Sequence, residues 1–372
     1  MAEAFFKQFK GLHDPRGALG RRHSLPALIA IAICAVICGS DGWTEIAEFG
    51  VAKREWFETF LDLPHGIPSH DTFGRVFAAL KPAGFERCFS RWVKGLAKAS
   101  KGRLIAVDGK TLRRSFDQAA GQAAIHMVSA FASANRLVFG QIKTAAKSNE
   151  ITAIPKLLKL LDLQGAVVTI DAMGCQRAIA QEIIKGRGDY VLAVKENQPT
   201  LYAKVKTLLD EAIAQKFKGL SGDCFSQTNK GHGRLETRTC WCTGEVHHLQ
   251  GIGHWEALAS VAVVESRRTI KGKVQEERRY YISSLDGEDA GTLAEAIRMH
   301  WGVENPLHWI LDVQFDEDQS RVRKGYGAEN LSRLRRIALN KLQAETSTKR
   351  SIRVKRLRAG WDHDYLLQIL QI

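Results

Sequence analysis

The spacing of apolar and polar positions divides the chain into a helical N-terminal part and a longer part that mixes strands with helices. Residues 25–38 (LPALIAIAICAVIC) are almost entirely apolar. A helix that crosses a bilayer needs about 20 such residues, so we predict a buried core helix here. Further along, apolar positions from Phe73 to Leu80 recur at helical spacing behind Ser69, a residue type that caps helix N-termini. We therefore predict a helical domain over residues 1–100.

From residue 103 onward, short apolar runs typical of buried strands replace the helical periodicity. The predicted strands are RLIAVD, IHMVSAFAS, RLVFGQIKT, AVVTIDA and YVLAVK, and the later ones alternate with helical segments such as PTLYAKVKTLLDEAIA. This order is typical of an α/β protein, so we predict a mixed sheet flanked by helices. Residues 217–287 interrupt the alternation with three predicted strands (LETRTCWC, EALASVAVVES and ERRYYISSL), which form a β-rich insertion. Residues 291–305 then return to helix.

Two of the predicted strands end in an aspartate. Asp108 follows LIAV and Asp171 follows VVTI. In open α/β sheets, ligands bind outside the carboxyl ends of the strands, where these two side chains would lie. Either aspartate alone is more typical of a turn. The two together indicate a candidate site at this edge of the sheet.

A glutamate lies between two tryptophans in the stretch HWGVENPLHWILDVQFDED. On a continuous helix, Glu304 lies seven residues, about two helical turns, beyond Ile297 and therefore on the apolar face. A carboxylate that faces a core has to be paired or to bind a metal ion. The alternatives are an ion pair with Arg298, and a role for Asp312 in place of Glu304.

Three converging carboxylates would suit phosphoryl transfer on DNA. Oxygen ligands fit Mg²⁺ (or Mn²⁺), which binds through a few carboxylates together with substrate phosphate. Two such ions, roughly 4 Å apart, stabilise both the attacking and the leaving oxygen. We therefore predict two ions held by Asp108, Asp171 and Glu304, with no nucleophilic side chain.

Basic residues are concentrated near the C-terminus. The chain carries a formal net charge of +14, and within residues 319–360 thirteen Lys and Arg stand against two acids, so this basic segment supplies eleven of the excess charges. A solvated helix face is the alternative, but such a block favours a surface that binds nucleic-acid phosphates. The predicted phosphate contacts are Arg113, Arg114, Arg321, Arg323, Lys324, Arg333, Arg335, Arg336, Arg353, Lys355 and Arg356.

The seven cysteines show neither disulfide spacing nor a convincing metal pattern. The CWC run followed by His247 and His248 departs from the usual spacings of zinc sites. We therefore expect reduced thiols, a cytoplasmic protein associated with the nucleoid, and no membrane partner.

Seven motifs spread over nearly the whole chain carry a family resemblance. They are GIPSHDTFGRVFAAL, IAVDGKTLRRS, KSNEITAIP, VVTIDAMGCQ, HGRLETR, YYISSL and HWGVENPLHWILDVQFDED. Together they resemble the DDE transposases of bacterial insertion sequences, specifically the H-repeat-associated (ISAs-type) group. The resemblance implies an RNase H-like catalytic core over residues 101–372, with Asp108, Asp171 and Glu304 as its first, second and third acids. It also implies that residues 1–100 form a transposase-associated domain.

Around the third acid the chain departs from the better-studied relatives. Those proteins carry an arginine four residues before the acid and a lysine seven residues after it, where this chain has His300 and Leu311. His300 and His308 are therefore the candidates for these phosphate contacts. In some relatives a tryptophan stacks on a flipped base near the cut. Trp301 or Trp309 could do so, although we predict core packing for both.

The sequence thus predicts a transposase that cleaves double-stranded DNA at element ends and joins the 3′-OH to target DNA by metal-dependent phosphoryl transfer. Because two DNA ends have to be paired, we expect a homodimer. Two alternatives remain open: an inactive DNA-binding relative, and an RNase H-like nuclease that cuts without strand transfer. Terminal inverted repeats and a target duplication in the flanking DNA would favour the transposase.

Overall fold

The computed structural model describes residues 2–97, 104–116, 121, 123–144, 150–231, 234–270 and 273–371. The α-helices of these residues are α1 (Ala2–Lys7), α2 (Leu25–Cys38), α3 (Trp43–Ala52), α4 (Arg54–Glu58), α5 (His70–Ala79), α6 (Pro82–Ala97), α7 (Glu150–Leu158), α8 (Arg177–Lys185), α9 (Pro199–Ala214), α10 (Ala290–His300), α11 (Ile310–Gln314), α12 (Gly327–Ala344), α13 (Ile352–Trp361) and α14 (His363–Gln371). The strands are β1 (Leu104–Thr111), β2 (His126–Ala132), β3 (Leu137–Lys143), β4 (Val167–Ile170), β5 (Asp189–Val194), β6 (Asp223–Gly231), β7 (Arg234–Thr243), β8 (Ser260–Ile270) and β9 (Lys273–Ser283).

The chain folds into two compact units. The first unit comprises Met1–Ser100, Gly109–Lys147 and Glu304–Ile372, and the second comprises Lys101–Asp108 and Ser148–Val303. The first unit therefore combines segments that are far apart in the sequence. Helices α6 and α12 and strand β3 meet at Glu86, whose carboxylate accepts from the Gln141 backbone N–H at 2.9 Å and from Arg333 at 2.6 Å. This grouping differs from the linear boundary at residue 100, which stays a prediction.

The second unit is built on a mixed sheet in the order β1–β4–β5–β9–β8–β7–β6. Strands β1, β4 and β5 run parallel, and the remaining neighbours are antiparallel. Helix α10 covers part of this sheet, because Leu293 and Ile297 are buried with Cys240 and Val264 in one apolar cluster. Full burial of a leucine or isoleucine contributes about 1.5–3 kcal/mol. The predicted mixed sheet flanked by helices is confirmed, whereas the RNase H-like assignment stays a prediction.

The β-rich segment contains four long strands where the sequence predicts three. Strand β6 (DCFSQTNKG) has exposed or half-buried residues along its whole length, so it lacks the alternation that marks a strand in the sequence. A complete antiparallel ladder to β7, from Asp223↔Cys242 to Gly231↔Arg234, holds it in place. Backbone pairing, and not side-chain burial, therefore makes this segment a strand.

Helix α2 is a core element of the first unit, as predicted. Residues 27–37 are buried, and the Ser24 hydroxyl caps the helix by accepting from the Ala27 N–H at 3.3 Å. Ser69 caps α5 in the same way, accepting from the Thr72 N–H at 3.4 Å. No single helix of the described residues is long and apolar enough to cross a membrane; α2 and α3 pass that test only as a pair bent by 97°.

Helices α12 and α13 bury five of the predicted phosphate contacts: Arg333, Arg335, Arg336, Lys355 and Arg356. Carboxylates pair with four of these cations, whereas Arg335 donates to the Asp41 carbonyl at 3.2 Å. Arg333 pairs with Glu86 at 2.6 Å, and Arg336 pairs with Glu317 at 2.8 Å. The structure contradicts the prediction that the five contact DNA, because breaking a buried ion pair costs about 3–5 kcal/mol.

The other predicted cations lie nearer the surface. Arg113, Arg114, Arg321, Lys324 and Arg353 are exposed, and Arg323 is half-buried. Arg113 pairs with Asp318 at 3.3 Å, and the Arg323 guanidinium lies over the Phe116 ring at 4.8 Å. A role for these six residues in DNA binding stays a prediction.

Deleting residues 347–372 is expected to unfold the first unit instead of removing a dispensable basic tail. Helix α14 buries Tyr365, Leu366, Ile369 and Leu370. At about 1.5–3 kcal/mol for each buried side chain, the destabilisation is comparable with the net stability of a domain, about 5–15 kcal/mol. Thermal unfolding of the truncated and full chains checks this. A truncated chain that melts at the wild-type temperature would contradict it, and Arg350→Gln/Arg353→Gln removes surface charge without removing the helix.

Candidate functional site

Asp108 and Asp171 occupy equivalent positions on the neighbouring parallel strands β1 and β4. The ladder between β1 and β4 ends with the pair Val107↔Ile170, so each aspartate is the next residue beyond it. Strand β1 itself continues to Thr111, further than predicted. The two carboxylates are thus brought together at one edge of the sheet in the second unit, as their positions after two strands predict.

The loop that carries Asp171 is held in one conformation. The Asp171 carboxylate accepts from the backbone N–H groups of Met173 (3.1 Å) and Gly174 (3.4 Å), capping a 3₁₀ turn. A side chain at Gly174 would place its Cβ 2.2 Å from Ile170 Cγ2, so glycine is required there. Asn197, just after β5, donates to the Ala172 carbonyl at 2.7 Å. The sequence reading missed Asn197, although a polar amide at the end of the next parallel strand was a visible signal.

Electrostatics couple the two aspartates. Burial raises the pKa of Asp171, the negative charges of Glu150 and Asp108 raise it further, and the Gly174 N–H and His300 lower it. Glu150, the first residue of α7, is thus an additional acid at this site that the sequence reading missed, within the motif KSNEITAIP. A bound cation would offset these like charges, and carboxylates supply the oxygen ligands that divalent ions prefer.

His300 ends α10 beside both aspartates. Its Nδ1 lies 3.1 Å from the hydroxyl oxygen of Thr169, two residues before Asp171 on β4. Burial lowers the pKa of His300, whereas the charges of Asp108 and Asp171 raise it. The histidine therefore belongs to the same cluster as the carboxylates; its predicted contact with a phosphate stays a prediction.

A cavity of about 830 Å³ adjoins Asp171 within the second unit. Its lining includes Asn197, Tyr202, Arg279 and Trp301. The Arg279 guanidinium lies 4.1 Å from the centre of the Trp301 ring, at a distance typical of a cation–π contact. The volume is within the usual range of ligand sites, so there is space for a substrate group beside the aspartate.

The two tryptophans that flank Glu304, Trp301 and Trp309, are exposed, so the prediction that they pack in the core is wrong. The exposed fraction is 45% for Trp301 and 54% for Trp309. Leu293 and Ile297, which precede them on the predicted face, are buried as expected. The helix type changes at Trp301 and again at Glu304, so the periodicity of α10 does not extend to Trp309.

That same change places Glu304 differently from the prediction. Helix α10 ends at His300, residues Trp301–Val303 form a 3₁₀ turn, and Glu304–Trp309 form a π-helix that contains Pro306. The 3₁₀ turn and the π-helix do not have the 3.6 residues per turn of an α-helix. Glu304 is therefore not held on the apolar face of α10, and its side chain is exposed. The alternative ion pair is not formed, because Arg298 instead donates to Gln227 Oε1 at 3.0 Å. Glu304 falls in the first unit, so its role with the two aspartates stays a prediction.

Three of the four acids that follow Glu304 in this stretch pair with cations of the first unit. Asp312 forms a close ion pair with Lys110, Glu317 pairs with Arg336, and Asp318 pairs with Arg113. Asp312, the rival for the third position, therefore has a structural partner in Lys110. The sequence reading gave Lys110 no role, since nothing in DGKT indicates an acidic partner about 200 residues away.

A separate group of potential metal ligands occurs in the β-rich segment. Among the described residues, the group of three whose donor atoms lie within 4.8 Å of one another is Glu245, His247 and His248. The residues are half-buried or exposed, and His247 Nδ1 lies 3.2 Å from Glu245 Oε2. The spacing of His247 and His248 after the CWC run predicts no zinc site, and Glu245 is the further ligand that the structure brings beside them. They are not among the predicted catalytic acids.

Two family profiles match the chain. The profile described as Transposase DDE domain matches residues 99–341, and the profile described as DDE_Tnp_1-associated matches residues 6–93. "Putative transposase YncI" of Escherichia coli O157:H7 is 41% identical over 353 residues, which cover 94% of this chain and 90% of that protein. "H repeat-associated putative transposase YhhI" of Escherichia coli (strain K12) is 41% identical over 360 residues, which cover 94% and 92%. "Inactive transposase YbfQ" of the same strain is 41% identical over 63 residues, 17% of this chain and 75% of that protein.

Proposed function

This chain belongs to the DDE transposase family, and from that premise we propose that it cleaves DNA at the ends of an insertion sequence and joins the new 3′-OH to target DNA. The observation that carries the proposal is the adjacency of Asp108 and Asp171 beyond the β1–β4 ladder, with His300 beside both. Adjacent carboxylates just beyond a parallel ladder are suited to binding and orienting a phosphodiester through cations.

Use of divalent metal is general in this family. Asp108 and Asp171 would hold Mg²⁺ or Mn²⁺, because their like charges lie close together and offer only oxygen ligands. Glu304 would complete the set, on the strength of its place in the family motif. When bound, two ions would stabilise charge on the attacking and leaving oxygens.

The proposed reaction consists of two phosphoryl transfers. In the first, a water oxygen bonds to phosphorus and the 3′ oxygen leaves with a proton, giving a 3′-OH and a 5′-phosphate. In the second, that 3′ oxygen bonds to a target phosphorus and the target's own 3′ oxygen leaves. Each step forms one P–O bond and breaks one, so neither needs an external energy source.

The chain's own residues would bind and orient the DNA around this reaction. Exposed cations after β1 and before α12, among them Arg113, Arg114 and Arg321, would contact the phosphate backbone. His300 would contact a phosphate oxygen next to the aspartates. A homodimer would hold two element ends together, and an RNase H-like core would be the scaffold.

Two other functions would leave different products. An RNase H-like nuclease would cut DNA without joining it, and an inactive relative would only bind DNA. The test is incubation of the full chain with Mg²⁺ and a plasmid that carries the element ends, scored for nicks and for joined products. Nicks without joined products would favour the nuclease, and binding without nicks would favour the inactive relative.

Cleavage is expected to require Mg²⁺ or Mn²⁺, whereas Ca²⁺ should support DNA binding without efficient cleavage. Ca²⁺ accepts the same oxygen ligands at longer distances and with looser geometry, so the reacting oxygens would be held less well in line. The measurement is a nicking assay on dialysed protein with each ion added singly. Zn²⁺ should not be needed, and the variant His247→Gln controls for the ligand group at Glu245. Cleavage that survives thorough chelation by EDTA would contradict the metal assignment.

A further inference from the structure

The outer strands of the second unit have two chemically different faces. Paired residues on neighbouring antiparallel strands lie on the same face, and successive residues of a strand alternate. Arg268 pairs in register with Glu236 and Gln275, whereas its neighbour Arg267 pairs with Thr237 and Glu276. Arg267 and Arg268 therefore point to opposite faces. Helix α10 lies on the Arg268 face, because Arg298 contacts Gln227 on β6.

On the face of Arg267, each arginine has a carboxylate of its own. Arg267 pairs with Glu276 at 3.2 Å. Arg278 pairs with Glu265 at 2.8 Å and with Asp210 at 3.1 Å. The charges of these two arginines are therefore balanced locally.

On the opposite face, Arg279 pairs with Glu277 at 2.7 Å, and four further arginines surround Glu236. This arginine cluster consists of Arg234, Arg238, Arg268 and Arg298. Glu236, whose side chain is only 6% exposed, accepts with one oxygen from both Arg268 (2.6 Å) and Arg238 (2.8 Å). Among the residues that the structure describes, neither Arg234 nor Arg298 forms an ion pair. The four arginines of the cluster and Glu236 together carry a net charge of +3.

The arginines are close enough to repel one another. Burial lowers the pKa of Arg238, Glu236 raises it, and the charges of Arg298, Arg268 and Arg234 lower it again. Like charges held together at a surface destabilise the fold unless an anion offsets them. Arg268 remains 44% exposed, and Arg234 and Arg298 are also exposed, so the cluster is open to an external anion.

We propose that the arginine cluster is a binding site for the phosphodiester backbone of DNA. Planar guanidinium groups match the geometry of phosphate oxygens and present several donors at once. The contact is with the backbone, so it is independent of base sequence. This proposal rests on the proposed function, which supplies DNA as the substrate.

The position of α10 connects the cluster to the candidate site. The last turn of α10 carries Arg298, which faces β6, and His300, which lies beside Asp108 and Asp171. The diameter of a helix with its side chains is roughly 10 Å, comparable with the separation of a few backbone phosphates. One DNA segment could therefore contact the cluster while a neighbouring phosphate lies at the aspartates.

The test measures the affinity of the full chain for a short duplex without element-end sequence, at several salt concentrations. The variant Arg234→Gln/Arg298→Gln is expected to weaken binding and to flatten the log–log salt slope by roughly 0.9 for each phosphate that the variant no longer neutralises. The matched control Arg267→Gln/Arg278→Gln removes the same charge from the opposite face and should leave the slope unchanged. Equal slopes for the two double variants would overturn the proposal.

A second variant distinguishes a role of the cluster in DNA binding from a role in stability alone. Glu236→Gln removes the only carboxylate of the cluster, so it is expected to tighten DNA binding and steepen the salt slope. If Glu236 only holds the strands together, the variant will lower the melting temperature without tightening binding, and the proposal fails. Plasmid nicking with Mg²⁺ is scored separately. If the wild-type chain nicks DNA and the arginine variants bind DNA as well as it does, this proposal is wrong and the proposed function stands. If binding depends on the cluster but the wild-type chain does not nick DNA, the proposed function is wrong and the cluster remains a DNA-binding site.

Discussion

Replacing Asp108, Asp171 or Glu304 by the matching amide is expected to lower the rate of DNA cleavage by on the order of 10³-fold or more, with DNA binding retained. Each amide removes one negative ligand from the proposed cation site, and hence the charge that holds the transferring phosphate. The basic surfaces are untouched by these changes. The measurements are single-turnover nicking and duplex binding for each variant.

The matched control for Glu304 is Asp312, the competing acid of the same segment. Its carboxylate pairs with Lys110, so Asp312→Asn is expected to change stability more than chemistry. If Asp312→Asn abolishes nicking in a folded chain and Glu304→Gln does not, then the third acid has been assigned to the wrong residue.

Replacing Glu317 by glutamine is expected to destabilise the first unit by about 3–5 kcal/mol at neutral pH. Glu317 is buried, and its Oε1 accepts from Arg336 at 2.8 Å and from the Ser332 hydroxyl at 3.0 Å. The amide would leave the buried Arg336 guanidinium without a counter-charge. The measurement is denaturant unfolding, and Glu276→Gln, in the exposed pair with Arg267, is the control, with an expected change below about 1 kcal/mol.

The same variant carries a pH signature. Burial by itself would raise the pKa of Glu317, but Arg336, Lys110 and Arg335 hold it at about 2, below the ordinary value of 4.5. Between pH 2 and pH 4.5, the Glu317 carboxylate is therefore protonated to a greater extent in the unfolded state than in the folded state. The stability that Glu317 contributes is present above pH 4.5 and is lost as the pH falls toward 2. The difference between wild type and Glu317→Gln should shrink over that window, and a constant difference would contradict the ion-pair account.

Elements with a strong local signal could be predicted from the sequence. Helix α9 occupies the segment predicted for it, and Ser69 caps α5 as its residue type indicates. The adjacency of Asp108 and Asp171 also followed, because parallel strands bring their carboxyl ends to one edge.

Features without a local signal were missed. Strand β6 has no apolar alternation, and only its ladder to β7 defines it. The arginine cluster draws residues from β7, β8 and α10, so no motif could indicate it. The exposure of Glu304 depends on a 3₁₀ turn and a π-helix that interrupt a periodic pattern typical of one continuous helix.

The sequence by itself determined the family, the types of the main elements and the two aspartates at one edge of the sheet. These depend on residue identity and on periodicities set by hydrogen bonds within a few residues or along one strand. The tertiary structure decided which charges are buried. Helix α12 has the composition of a basic surface helix, yet its arginines lie inside the first unit, and Arg333 meets Glu86 across 247 residues of sequence. Whether a cation is buried or exposed depends on such distant partners, because burying a charge costs much free energy unless carboxylates or backbone carbonyls take the place of water.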